Sequence, residues 1–102
     1  MMTRVWKFNL AITDVQDVAV PSEHKVLCVK AQYNDPVLYV MVNPRDELAV
    51  LITILTAGTG HERDDIEDAE YIGTILLNDG NTVYHYFQVV PTIKPGVGET
   101  AA

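Results

Sequence analysis

Residues 71–90 read YIGTILLNDGNTVYHYFQVV, two apolar runs joined at residues 78–81 by Asn-Asp-Gly-Asn. An Asp-Gly pair between such runs is a strong signal for a β-hairpin, because glycine accepts the positive φ angle of a tight turn. This stretch therefore predicts two neighbouring antiparallel strands, at residues 71–77 and 82–90.

The same alternation of apolar and polar residues continues toward the N-terminus. A period of two places successive side chains on opposite faces of a strand, whereas a helix would show a period near 3.6. In residues 6–12 the alternation aligns four large apolar side chains on one face. The runs predicted as strands are residues 6–12, 18–20, 25–33, 37–42, 48–57, 71–77 and 82–90.

Short strands separated by turns at regular intervals define the predicted fold class. The sequence favours an all-β domain, a small antiparallel β-sandwich or partly open barrel of about seven short strands with little or no helix. Residues 34–36, Asn-Asp-Pro, are expected to turn the third strand into the fourth. We expect a single domain at residues 1–90 and a flexible C-terminal tail at residues 91–102.

Two of the predicted strands are apolar on both faces, at residues 38–42 and 48–55. Such a strand is central in the fold and covered twice, or one of its faces is a subunit interface. Together the two runs supply more apolar surface than one small core needs. We therefore expect a homo-oligomer.

The chain contains one cysteine, Cys28, so it cannot form an intramolecular disulfide. This composition is typical of a reducing compartment, and a cytoplasmic location is expected. No apolar run approaches the roughly 20 residues that a membrane-spanning helix needs. The sequence therefore predicts no membrane association.

The formal net charge is −7, and most of it lies in one segment. Residues 61–70 hold six acidic residues and one arginine, a balance of −5. We expect this segment to be a solvated loop or a single helical turn. The seven basic residues are scattered along the chain, whereas nucleic-acid binders carry a basic stripe, so no nucleic-acid partner is expected.

One local motif could bind a ligand: Gly58-Thr59-Gly60-His61. Two glycines around a threonine let successive backbone N–H groups point the same way and form a nest for a phosphate or carboxylate, with His61 as a titratable partner. The alternative is a tight turn after a buried strand, in which Gly58 and Gly60 serve only to take positive φ angles. No helix follows the motif, as a dinucleotide site or P-loop would require.

The sequence shows no catalytic or metal-binding constellation. Cys28 lies in the middle of an apolar strand, where a thiol is usually inert, and Ser22, the only serine, has no elbow motif around it. His24, His61 and His85 lack the spacing of metal ligands, and a histidine between core residues, like His85, is usually a hydrogen-bonded structural residue. We expect no enzyme activity, no metal and no cofactor.

Several motifs together carry a resemblance to a known family. They are Trp-Lys-Phe at residues 6–8, Ile-Thr-Asp at 12–14, Gly-Thr-Gly-His at 58–61 and Tyr-Ile-Gly-Thr at 71–74. With these motifs the chain resembles a family of short, uncharacterised proteins encoded by phages and prophages, a domain of unknown function. The resemblance implies a phage origin, hence a host cytoplasm, and no established chemistry.

Small size, acidic charge and the phage resemblance favour a non-enzymatic accessory protein that binds or inhibits a host component, including a counter-defence role. One alternative is an oligomer that binds a small ligand or nucleotide at residues 58–61. Another is a virion or assembly component. The expected partner is thus a host protein or a small ligand.

Overall fold

The computed structural model describes residues 1–90, so the predicted tail lies outside the described residues. Within that range the chain forms seven strands and one 3₁₀ turn, Asp64–Ile66, with no α-helix. The strands are β1 (Arg4–Asn9), β2 (Val15–Pro21), β3 (His24–Gln32), β4 (Asp35–Val42), β5 (Ala49–Gly58), β6 (Glu70–Leu77) and β7 (Thr82–Gln88).

The strands form two antiparallel sheets. Sheet A has the order β1-β4-β3, and sheet B has the order β2-β5-β7-β6. The predicted all-β fold is confirmed, as a small sandwich rather than a closed barrel. β5 is central in sheet B, as the double-sided apolar pattern of residues 48–55 predicts.

The core lies between the inner faces of the two sheets. Alternation puts Leu38, Val40 and Val42 of β4 on the inner face, and all three are fully buried. Ile54 and Tyr86 are fully buried as well and belong to sheet B. Each buried aliphatic side chain of this size contributes roughly 1.5–3 kcal/mol to folding. Burial also raises the pKa of the Tyr86 hydroxyl.

One glycine lies where β6 of sheet B meets β3 of sheet A. The register of β6 shifts at a bulge between Tyr71 and Gly73. Gly73 has a φ of +156°, and a β-carbon there would lie 2.7 Å from the carbonyl oxygen of Val29 in β3. The backbones of β6 and β3 touch at this point. Because the core lies between the inner faces of the two sheets, their outer faces point in opposite directions.

The turn between β3 and β4 differs from the prediction. It consists of Tyr33 and Asn34, with φ angles of 51° and 65°, and β4 already begins at Asp35. Two residues with positive φ give the turn whose twist suits a hairpin, so Tyr33 belongs to the turn and not to the strand. The Asn34 side chain also ties this hairpin to the next one, because its Oδ1 accepts the backbone N–H of Asn78 at 2.8 Å.

The first two strands also differ in length from the prediction. β1 ends at Asn9, and Ile12, expected on its apolar face, is 53% exposed. The Gln16 side chain closes the loop that follows, donating to the Ala11 carbonyl at 2.7 Å and accepting its N–H at 3.0 Å. β2 consequently starts at Val15, earlier than predicted.

Candidate functional site

The outer face of sheet B carries a row of apolar side chains across all four strands. The register aligns one residue from each strand, and neighbours in such a row lie about 5 Å apart. The Tyr71 ring meets the Phe87 ring edge to face, with centroids 5.8 Å apart. The row consists, in sheet order, of Val15, Leu55, Phe87 and Tyr71.

The chain between β5 and β6 crosses this face. β7 separates β5 from β6 in the sheet, so residues 59–69, here called the crossover segment, must pass β7 to connect them. Leu55 and Ala57 alternate with core residues and therefore point outward, yet they are only 3% and 4% exposed. We infer that the crossover segment covers this part of the face.

Apolar side chains remain uncovered around the crossover segment. Val15 is 51% exposed, Leu51 69%, Tyr71 58% and Leu76 59%. These four residues are here called the apolar patch. The strands of sheet B contain no lysine or arginine, so no cationic side chain of these strands lies among the patch residues. All four patch residues share the outer face of sheet B, with Val15 and Tyr71 at the ends of the apolar row, and with Leu51 and Leu76 about four residues beyond it in opposite directions. Several exposed apolar side chains on one face favour an interaction surface there.

Arg63 anchors the crossover segment to the sheet. Its Nη1 donates to the carbonyl of Thr56 at 2.6 Å, and its Nη2 donates to the carbonyl of Asp14 at 3.2 Å. Asp65 accepts from Nε at 3.0 Å and from Nη2 at 2.8 Å. The hydrogen-bonded guanidinium lowers the pKa of Asp65. The one cation of the segment is thus turned toward the sheet, while its carboxylates are exposed.

The Gly58–His61 motif forms a closed turn. The backbone N–H of His61 donates to the carbonyl of Gly58 at 3.2 Å, and Gly60 has a φ of +86°. The positive φ expected at Gly60 is confirmed, but the one expected at Gly58 is wrong, because Gly58 is the last residue of β5. A β-carbon on Gly58 would lie 3.0 Å from the His61 ring, so the absence of a side chain there makes room for the imidazole. Because the backbone N–H of His61 already donates to the Gly58 carbonyl, it does not contribute to a backbone nest that binds an anion.

The fold brings His85 to the same turn. His85 Nε2 lies 2.7 Å from Thr59 Oγ1, and its Nδ1 lies 2.9 Å from Thr74 Oγ1. Thr74 Oγ1 in turn lies 2.7 Å from the hydroxyl of Tyr71. The result is a continuous hydrogen-bonded chain from the turn to the apolar patch. His85 is hydrogen-bonded, as expected, but it lies on the outer face of sheet B beside Ala57 and Thr74 and not among core residues. Sequence alone could not join residues 59 and 85, because their contact depends on the β5–β7 register.

Two clefts adjoin the turn. One, of about 470 Å³, lies beside Thr59 and the start of β7, and the other, of about 260 Å³, lies beside residues 12–14. Gly58, His61 and Tyr84 line both clefts. His61 therefore stands between two openings at the end of the sandwich.

The other candidate residues lie apart from this site. His24 is at the turn between β2 and β3, where its Nδ1 lies 2.9 Å from the Pro21 carbonyl oxygen. Cys28 is half-buried on the outer face of sheet A. Residues 1–90 contain no cluster of three or more His, Cys, Asp or Glu that could hold a metal. Over the same residues, no helix has the length and apolar character to cross a membrane.

Comparison with known proteins places the chain in a family. A family model described as a domain of unknown function, DUF7352, matches residues 1–95. The chain therefore belongs to this family. No curated protein and no solved structure matches it.

Proposed function

We propose that this chain is a non-enzymatic protein-binding module that holds a partner protein on the outer face of sheet B. The observation that supports this proposal is the apolar patch, in which Leu51, Tyr71 and Leu76 are each more than half exposed. Protein interfaces combine apolar anchors with a polar rim, and the carboxylates of the crossover segment supply such a rim.

The biological setting follows from the resemblance of the sequence motifs. We propose a phage-encoded accessory protein that acts in the host cytoplasm on a host component, with counter-defence as one such role. The motifs at residues 6–8 and 58–61 support this setting.

Affinity capture with matched variants tests the proposal. The purified chain is immobilised and exposed to bacterial host lysate, beside a Leu51→Lys/Leu76→Lys variant and a Val5→Lys control. Val5 is 55% exposed on the outer face of sheet A, so the control adds the same kind of charge to the opposite surface.

We expect the control to retain the proteins that the wild-type chain captures and the double variant to lose them. All three chains should melt at nearly the same temperature, because exposed side chains contribute little to stability. A double variant that captures the same proteins as wild type would show that sheet B is not the binding surface.

A second candidate is a small-ligand site at residues 58–61. It is supported by the position of His61 between two clefts that share Gly58 and Tyr84. A nucleotide at one hundred times its Kd should add roughly 2.7 kcal/mol to the free energy of unfolding.

Thermal shift with a panel of nucleotides measures this effect. His61→Ala should abolish the shift, and so should Gly58→Ala, whose new β-carbon would displace the imidazole. His24→Ala, a change in a different turn, should leave the thermal shift unchanged. A panel that shifts none of the chains eliminates this candidate.

A further inference from the structure

The outer face of sheet A collects lysines that are far apart in the sequence. The register sets Lys7 beside Tyr39, Lys25 beside Met41 and Lys30 beside Val37. All three lysines are exposed, while Tyr39 and Met41 are half-buried between them. This set, Lys7, Lys25, Lys30, Tyr39 and Met41, is here called the lysine face.

The charges of the lysine face are unneutralised within the described chain. None of its lysines forms an ion pair in residues 1–90, where Lys7 Nζ instead donates to the Gln32 side chain at 3.0 Å. Within the strands of sheet A the only carboxylate is that of Asp35, at the hairpin end. Glu23, in the turn before Lys25, forms its ion pair with the N-terminal amine of Met1 and not with a lysine. A cationic rim around a partly apolar centre fits an acidic protein surface that also offers apolar side chains.

The chain carries a surface of this kind on its opposite side. The crossover segment and the adjoining Glu70 present exposed carboxylates, and the exposed apolar side chains of the patch lie on the same side of the molecule. Arg63 holds the segment against β5 and Asp14, on sheet B. Because the outer faces of the two sheets point in opposite directions, the two surfaces of one molecule cannot meet.

We propose that the lysine face of one copy binds the crossover segment and apolar patch of a second copy. This inference rests on the proposed function, since it names a second copy as a partner of the same sheet B surface. The contact joins two different surfaces, so it repeats from copy to copy and forms rings or open stacks. A stack leaves one free sheet B surface at its end for a different partner.

Charge reversal on each surface tests the proposal with purified protein alone. One variant carries Lys25→Glu and Lys30→Glu, and the other carries Glu67→Lys and Asp68→Lys. All four positions are exposed, so circular dichroism should show both variants folded. The mass of each chain is followed by sedimentation velocity over a concentration series at low and high salt.

The wild-type chain should exceed the 11.3 kDa monomer mass at low salt and dissociate toward it at high salt. Each variant alone should associate at least about tenfold more weakly, because it places like charges on both partners. An equimolar mixture of the two variants should restore association, since each then meets a complementary surface in the other.

Three results would overturn the proposal. They are a wild-type monomer at every concentration, association that neither reversal weakens, and a mixture that stays monomeric while both variants are folded. A monomer whose lysine face binds a twelve-residue thymidine strand would assign that face to nucleic acid instead. A wild-type monomer whose lysate capture depends on Leu51 and Leu76 would leave the proposed function standing without this inference.

Discussion

The two outer faces of the sandwich differ in charge although they cover one core. The strands of sheet A carry four basic residues and one acid, whereas those of sheet B carry two acids and no lysine or arginine. Sheet A shows lysines around Tyr39 and Met41, and sheet B shows an acidic crossover segment among exposed leucines. The net charge of −7 describes the whole chain and does not show this difference. The charge of each face must therefore be considered separately when a charged partner is proposed.

The largest expected loss of stability distinguishes two residues that lie on the same face of one strand, β5. Leu55 and Leu51 both point outward from β5, but they are 3% and 69% exposed. Leu55→Ala should lower the free energy of unfolding by about 3 kcal/mol, because it leaves a cavity under the crossover segment. Leu51→Ala should cost less than about 0.5 kcal/mol.

Urea denaturation of dilute protein measures both values. A cost for Leu51→Ala that matches the cost for Leu55→Ala would mean that the apolar patch is buried in the isolated chain. The contrast between a covered and an uncovered part of sheet B would then be lost.

A smaller effect tests the contact between the two sheets at Gly73. Gly73→Ala should destabilise the chain by roughly 2 kcal/mol, since its β-carbon would lie 2.7 Å from the Val29 carbonyl oxygen. Gly60→Ala is the matched control, because Gly60 also has a positive φ but no atom lies within 4 Å of its β-carbon. It should cost about 1 kcal/mol.

Thermal unfolding of the two glycine variants provides the comparison. Equal losses of stability would show that the φ angle, and not the contact between β6 and β3, determines the cost at Gly73.

The smallest effect is the pH dependence of the contact between Arg63 and Asp65. Arg63 lowers the pKa of Asp65 from its usual 3.8, so the ionised carboxylate is favoured in the folded state. A group with a depressed folded pKa stabilises above its unfolded pKa, and this stabilisation disappears as the pH falls through the folded value. The stability difference between wild type and Asp65→Asn should therefore be present at pH 7 and shrink below about pH 4.

Glu67→Gln is the control, because Glu67 forms no ion pair in the described part of the chain. A stability difference for Asp65→Asn that stays constant from pH 7 to pH 2 would argue against the Arg63 anchor.

Patterns among residues that are close in the sequence predict most of the fold. Alternation gives the seven strands, and Asp79-Gly80 gives the last hairpin, because both signals act between residues close in the chain. The pattern predicts the β3–β4 turn at the wrong residues, because Asp35 and Pro36 are typical of turns although the positive φ angles fall at Tyr33 and Asn34.

The surfaces were harder to predict than the fold. Lys7, Lys25 and Lys30 are scattered in sequence and come to share one face only through the register of β1 and β3 on β4. In the same way, Thr59 reaches His85 only through the pairing of β5 with β7. Such contacts depend on strand order, which a local pattern does not encode.

Hydroxyl-radical footprinting measures whether a protein covers the outer face of sheet B when the chain is in its working state. Oxidation of Leu51, Tyr71 and Leu76 is compared between dilute purified protein and the same protein inside host cells. Tyr33, which is 92% exposed at a hairpin turn, serves as the internal control. We predict that oxidation of the three patch residues falls severalfold in cells relative to Tyr33. Equal ratios in both settings would contradict the proposal that a protein covers this face.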